Sequence, residues 1–129
     1  MRAVMRALDS FLETFPTPGR VRERQQRLRS DREAAASAWT ARYFEPRMAE
    51  AARFVALAFC EVEGIRVLEH GPSARLIEDL NLTDLEPVQV AMGLEEKLKI
   101  KIPDKEAERF LTMSDWVGYA YAKLPVHPA

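Results

Sequence analysis

Apolar residues recur at helical spacing along most of the chain. In residues 2–15 they fall three or four positions apart, at Val4, Met5, Leu8, Leu12 and Phe15. The run Pro16–Gly19 is expected to end this helix, because prolines lack an amide donor and glycine permits a turn. A second helix is predicted over residues 21–43. Its first half is polar and rich in arginine, and its second half is rich in alanine and holds Trp39 and Tyr43.

A third helix, over residues 47–63, is the most apolar of the chain. One stripe along it consists of Met48, Ala52, Val55, Phe59 and Val62, while Phe54, Leu57 and Cys60 lie off that stripe. A helix that is apolar on more than one face needs cover on more than one side. We therefore expect the N-terminal segment to lie on its outer face, and Gly64 to end it.

A loop containing Gly71-Pro72 is predicted over residues 65–82, with a short turn around residues 74–80. The next helix is predicted over residues 84–98, with an apolar stripe of Leu85, Val88, Met92 and Leu98. Two N-terminal caps compete. Thr83 with Glu86 fits a capping box, whereas Asp84 as the cap places Pro87 at the third helical position, where its missing amide breaks no helical bond. The second arrangement is preferred.

The C-terminal part of the pattern predicts two more helices. Residues 100–103 form an apolar loop tucked into a helical core, and a short helix follows from about residue 104 to 110. Thr112 with Asp115 predicts a capping box for a last helix over residues 113–124, whose apolar face holds Trp116, Val117, Ala120 and Leu124. The fold class is therefore all-α, with an N-terminal helical extension (residues 1–45), a four-helix bundle (46–124) and a tail (125–129).

Composition narrows the class of protein. The 129 residues are 47% apolar, enough for one modest domain with a core, and the net charge of −1 indicates no general affinity for nucleic acid or membrane. The single cysteine, Cys60, excludes an internal disulfide and is read as a small core residue in a cytoplasmic protein. The two histidines, His70 and His127, are too few and too separated to indicate a metal site. No catalytic constellation is evident, so no enzyme is predicted.

Charge is distributed unevenly along the chain. All five lysines follow residue 90, while the first 45 residues use arginine alone and carry a net charge of +3, from nine arginines against six acidic residues. Residues 71–124 carry −3, from seven basic against ten acidic residues. The arginines of residues 20–32 fit a solvated helix face, or a contact with the acidic part of the same chain or of a second copy. Nucleic acid is disfavoured because no aromatic residue interrupts the run.

The segment from Glu78 to Asp104 resembles the centre of an acyl carrier protein, and the resemblance extends over about residues 47–124. The matching residues are Glu78-Asp79-Leu80, Leu85, Val88, Ala91-Met92, Leu94-Glu95-Glu96, Ile100, Ile102-Pro103-Asp104, Ala107-Glu108 and Thr112 with Asp115. In that family an Asp-Ser-Leu triplet opens the second helix, and the serine hydroxyl carries the phosphopantetheine arm. This chain reads Thr83-Asp84-Leu85 there. Asp84 occupies the serine position and has no hydroxyl.

The resemblance also implies a partner-binding surface. Carriers of this family usually present an acidic second helix to basic enzyme surfaces, and the corresponding residues here are Glu86, Val88, Gln89, Met92, Glu95 and Glu96. Thr83, Gln89 and the three lysines at positions 97, 99 and 101 make this face less acidic than in the family. Steering of a basic partner should therefore be weaker.

These observations favour an acyl-carrier-like domain without phosphopantetheine that acts by binding a protein partner. The partner would be an acyl-processing enzyme, or a second copy bound through the N-terminal extension. Asp84 would then be a structural cap or a mimic of the phosphate of a loaded carrier. One alternative is a working carrier with an unusual or replaced attachment residue, in which 4'-phosphopantetheine is the cofactor. A second is an unrelated helical regulatory protein.

Overall fold

The fold is all-α, as the sequence predicted. A computed structural model describes residues 18–125, and within that range the secondary structure consists of α-helices, two 3₁₀ segments and one isolated bridge between Arg75 and Thr112. The helices are α1 (Pro18–Tyr43), α2 (Ala49–Glu63), α3 (Leu85–Leu98), α4 (Asp104–Ala107) and α5 (Met113–Lys123). The helix predicted over residues 2–15, and the end of the tail, lie outside the described residues.

Contacts divide the chain into two units after Asp31. In the first unit, residues 18–31 are the start of α1, and their side chains from Arg22 to Asp31 are exposed. The predicted start of this helix at residue 21 was late by one turn. Pro18 occupies the first helical position, where its missing N–H would have no helical partner and its fixed φ suits the helix.

The second unit, which begins at Arg32, holds the hydrophobic core. Helix α2 lies at its centre and packs against α3 and α5. Its buried residues fill more than one face, as its sequence predicted, and include Phe59 and Cys60. Phe59 meets the fully buried Trp116 edge-on, with 6.1 Å between ring centroids, and Phe110 lies against the same indole at 4.7 Å.

The last turns of α1 belong to this core. Ala36 and Trp39 are buried in the same cluster as the residues of α2, and the Trp39 indole donates a 2.9 Å hydrogen bond to the carbonyl of His70. Arg53 of α2 pairs with Glu33 at 3.1 Å. Residues 32–45 therefore pack on the bundle, whereas cover of α2 by the whole segment 1–45 stays a prediction. The domain boundary between residues 45 and 46 stays a prediction.

The connections between the helices follow their turn chemistry. Gly64 ends α2 with a φ of 87°, which favours glycine, and its amide donates to the carbonyl of Cys60. Ile102 is buried, which confirms an apolar loop in the core. Thr112 and Asp115 form the predicted capping box at the start of α5. Within residues 18–125 no helix is long and apolar enough to cross a membrane.

Candidate functional site

The start of α3 is capped by a pair of residues that flank Asp84. Glu86 accepts a 2.7 Å hydrogen bond from the backbone amide of Thr83 and a second, short one from the Thr83 hydroxyl. Asp84 is exposed, stands in the N-cap position, and makes no side-chain cap hydrogen bond. The preferred N-cap position at Asp84 is therefore confirmed, but its side chain does not cap the helix: its φ and ψ (−63°, −23°) are already helical, and Glu86 accepts from the Thr83 amide instead. Pro87 does occupy the third helical position.

The Thr83 contacts also set the electrostatics of Glu86. Hydrogen bonds from the Thr83 hydroxyl and amide hold the pKa of the Glu86 carboxyl below its ordinary value. Glu63, at the end of α2, has a pKa above its ordinary value, chiefly because burial penalises its charge and secondarily because Glu86 repels it. The contacts of Thr83 thus favour the charged form of the Glu86 carboxyl, beside the exposed Asp84.

Helix α3 turns a different face to the core than its predicted stripe. The structure buries Val90, Ala91 and Leu94. Leu85 and Met92 are each 63% exposed and Val88 is 49% exposed, so these three residues of the apolar stripe face away from the core. At roughly 100° per residue, Leu94 lies about 180° around the helix from Leu85. The helix is apolar on two opposite faces, and only one of them is buried.

The exposed side of α3 forms what we call the docking face, which consists of Leu85, Val88, Gln89, Met92 and Glu96. All five side chains are exposed and project from the same side of the helix. Leu85 was not among the predicted partner-binding residues. Its position one turn from Val88 and two turns from Met92 is the signal that would have added it.

Two predicted partner-binding residues lie at the edges of the docking face. Glu86 is half-buried and bonded to Thr83, as described. Glu95 is also half-buried, and its carboxylate accepts a 3.0 Å hydrogen bond from the amide of Ile102, which fixes the apolar loop after α3. The structure therefore brings Val88, Gln89, Met92 and Glu96 onto one exposed surface, with Glu86 and Glu95 beside it in structural contacts.

The lysines after Glu96 differ in their surroundings. Lys97 is half-buried and pairs with Glu61 of α2 at 2.5 Å, which joins the two helices. Lys99 ends α3 with a left-handed φ of 56°, and its amide donates to the carbonyl of Glu95. Lys101 is exposed. The positive charge of Lys97 is thus balanced by Glu61.

Other chemistry-bearing side chains are dispersed. Cys60 is buried, as predicted, and burial raises the pKa of its thiol to about 11 despite the nearby positive charge of Arg32. In the part of the chain that the structure describes, no three histidine, cysteine or acidic side chains form a group that could hold a metal ion. His127 lies outside the described residues.

The chain is similar to curated acyl carrier proteins. It is 51% identical over 51 residues to the acyl carrier protein of Helicobacter hepaticus, which covers 40% of this chain and 67% of that protein. It is 46% and 44% identical over 46 residues to the acyl carrier proteins of Campylobacter fetus and Campylobacter curvus, covering 36% of this chain and 60% of each relative. The chain thus spans 60 to 67% of the length of these three relatives. No family model and no solved structure matches it.

Proposed function

Since this chain belongs to the acyl carrier protein family, we propose that it is a carrier-like domain that holds no phosphopantetheine and acts by binding a protein partner through the docking face. The observation that carries the proposal is the exposed Asp84 directly before α3, followed by the exposed apolar residues Leu85, Val88 and Met92. The attachment position has lost its hydroxyl, while the adjacent helix still presents an apolar surface.

The residues at this turn do not fit the family's prosthetic arm. A carboxylate cannot form the stable phosphodiester that a serine oxygen forms, and Asp84 supplies only a carboxylate. Thr83 is one position away, roughly 100° around a helical turn, and its hydroxyl donates to Glu86. Arm attachment at Thr83 would require this bond to break.

The docking face supports a protein partner. Three large apolar side chains exposed on one side of a helix suit the core of a small interface. Glu96 lies on the same face, with the carboxylates of Glu86 and Glu95 at its edges, so the rim is acidic. A partner with an apolar pocket and a basic rim fits this arrangement, as an acyl-processing enzyme that recognises carriers would.

The alternative, a working carrier with a replaced attachment residue, rests on the same similarity to curated carriers. Under it, 4'-phosphopantetheine is the cofactor and the surface around residue 84 is still recognised by a transferase. The unrelated helical regulator is set aside, because the chain belongs to the carrier family.

The two readings are separated by a transferase assay on three purified proteins: the natural chain, Asp84→Ser and the control Asp84→Ala. Each is incubated with coenzyme A and a broad-specificity phosphopantetheinyl transferase, and its intact mass is measured. We expect all three proteins to stay unmodified. An arm on the serine variant alone would show that a transferase still recognises the surface around residue 84, and would favour the alternative. An arm on both the natural chain and the alanine variant would place attachment elsewhere and refute the proposal.

A second candidate for the partner is another copy of this chain, bound as a homodimer through the N-terminal extension. Its support is the exposed arginine-rich start of α1, which is complementary in charge to the acidic rim of the docking face in another copy. Such a dimer would weaken steeply with salt, because exposed charges are screened beyond about 10 Å at 0.1 M ionic strength. Light scattering at low and at high salt measures the mass of the particle in solution. A monomeric mass at both salt concentrations would exclude the homodimer.

A further inference from the structure

A cleft separate from the docking face lies between the end of α1 and the start of α2. Its volume is about 530 Å³, within the range of small-molecule sites, and all of its walls belong to the second unit. Its lining residues are Ser37, Thr40, Ala41, Phe44, Pro46, Ala49, Glu50 and Arg53. The walls combine apolar surface with two hydroxyl groups and two opposite charges.

Thr40 is the unusual member of this lining. It is only 4% exposed, and its Oγ1 atom is buried without a hydrogen-bond partner among the described residues. A buried hydroxyl without a partner costs free energy, so such groups are normally satisfied. Threonine in a helix divides between two χ1 rotamers, so a rotation about χ1 can exchange its methyl and hydroxyl positions. A ligand that offers a hydrogen bond would select the rotamer that faces the cleft.

The charges of the lining define the ligand class. Glu50 and Arg53 carry opposite formal charges, and Arg53 is already paired with Glu33 at 3.1 Å. The formal charges of the lining itself sum to zero, so no excess charge of either sign selects an ion there. Phe44 and Pro46 supply apolar contact for a compact hydrocarbon body.

We infer that this cleft binds a small uncharged amphiphile, with an apolar body packed on Phe44 and Pro46 and one hydroxyl or amide group hydrogen-bonded to Thr40. The site is independent of the docking face and of the state of residue 84. It gives the region between extension and bundle a ligand-binding role in addition to its packing role.

The probe for this site is benzyl alcohol, compared with toluene, which lacks the hydroxyl, and with benzoate and benzylamine, which carry charges. Each is titrated into the full-length protein, and binding is followed by amide chemical shifts in heteronuclear NMR. We expect benzyl alcohol to shift the amides of Thr40, Ala41 and Ala49 and to change the χ1-dependent couplings of Thr40. Equally tight binding of benzoate or benzylamine would overturn the uncharged class, and shifts outside the cleft alone would overturn the site.

The hydroxyl is tested by Thr40→Val, which keeps the shape of the side chain. We expect its affinity for benzyl alcohol to fall by about two- to tenfold and its affinity for toluene to stay unchanged, since one neutral hydrogen bond is lost. Equal effects on both probes, or no effect, would contradict the role of Thr40. Ala41→Leu, which fills the cleft, should abolish binding of both probes, whereas Ala34→Leu on the same helix and outside the lining should leave both intact. Binding that survives Ala41→Leu would overturn the proposal whether or not the valine variant folds.

Discussion

Glu86 holds both the amide and the hydroxyl of Thr83, and so closes the first turn of α3 around Asp84, which we propose to stand at the family's serine position. The side chain at that position, a carboxylate, takes no part in the cap. Capping of the helix and the chemistry of position 84 are therefore independent of each other. A serine can therefore be introduced at position 84 without removing a cap hydrogen bond of α3.

Acid titration tests the contacts of Glu86. The pKa of Glu86 is lowered in the folded protein, first by the Thr83 hydroxyl and then by its amide, so its stabilisation is present above the ordinary pKa of 4.5 and is lost as pH falls through the folded value. We expect Glu86→Gln to reduce the loss of unfolding free energy on acidification. The isosteric control Asp84→Asn should retain that loss. Chemical denaturation from pH 7 to pH 3 measures both, and the opposite ranking would contradict the described cap.

The orientation of α3 is tested by a pair of neighbouring alanine substitutions. Leu94 is fully buried, so Leu94→Ala should lower the free energy of unfolding by about 2–5 kcal/mol. Met92 is 63% exposed, and Met92→Ala should change it by about 0.5 kcal/mol or less. Urea denaturation measures both. If Met92→Ala were the more destabilising variant, the docking face would be buried and the proposed binding surface would be wrong.

Periodicity predicted α3 but not which of its faces is buried. Leu85, Val88 and Met92 satisfy helical spacing, and so do Val90 and Leu94 on the opposite side. Which face is buried depends on packing against α2. Gly93 of α3 lies next to that helix: a Cβ added to Gly93 would be 3.9 Å from the Cβ of Ala58, an ordinary contact distance. Such a contact joins residues 35 positions apart, and one sequence does not encode it locally.

Sequence motifs that involve only a few neighbouring residues predicted the local structure correctly. The Thr112 and Asp115 capping box and the stop at Gly64 occur as predicted, because both depend on side chains or backbone freedom within one turn. The N-cap position of α3 at Asp84 was also predicted, but the side chain that accepts a hydrogen bond there, Glu86, was not. The helical backbone angles of Asp84, which accompany the missing cap bond of its side chain, are not visible in the sequence.

The end of α1 should be part of the cooperative core. Trp39 is 4% exposed and its indole binds the carbonyl of His70, so Trp39→Ala should lower the free energy of unfolding by about 3–5 kcal/mol. The control on the same helix is Leu28→Ala, which should change it by about 0.5 kcal/mol or less because Leu28 is 44% exposed. Thermal and urea unfolding followed by circular dichroism measure both. Similar effects from the two variants would show that residues 32–43 do not belong to the core.

The buried thiol of Cys60 should make the protein sensitive to alkali. Its folded pKa of about 11 exceeds the ordinary value of 9.0, so the unfolded chain loses its proton first and stability falls as pH rises through this window. The loss should be about 1 kcal/mol at pH 10. Cys60→Ala should remove this part of the pH dependence. Burial and the hydrogen bond to Glu106 raise the pKa of Tyr119 from 10.0 to about 12, so its own loss of stability sets in about one pH unit higher than that of Cys60.

Thiol chemistry offers an independent check on Cys60. A disulfide reagent that attacks thiolates should leave the folded protein unmodified at pH 8 and label it completely in denaturant, since Cys60 is 1% exposed. Rapid labelling of the folded protein at pH 8 would contradict both the burial and the raised pKa.

The intact mass of the natural chain, purified after co-expression with a broad-specificity phosphopantetheinyl transferase, tests the central claim most directly. The account predicts the mass of the unmodified 129-residue chain, because Asp84 has no hydroxyl and Thr83 is engaged by Glu86. A stoichiometric gain of one phosphopantetheine, mapped by peptide analysis to residues 80–90, would contradict it and identify the protein as a working carrier.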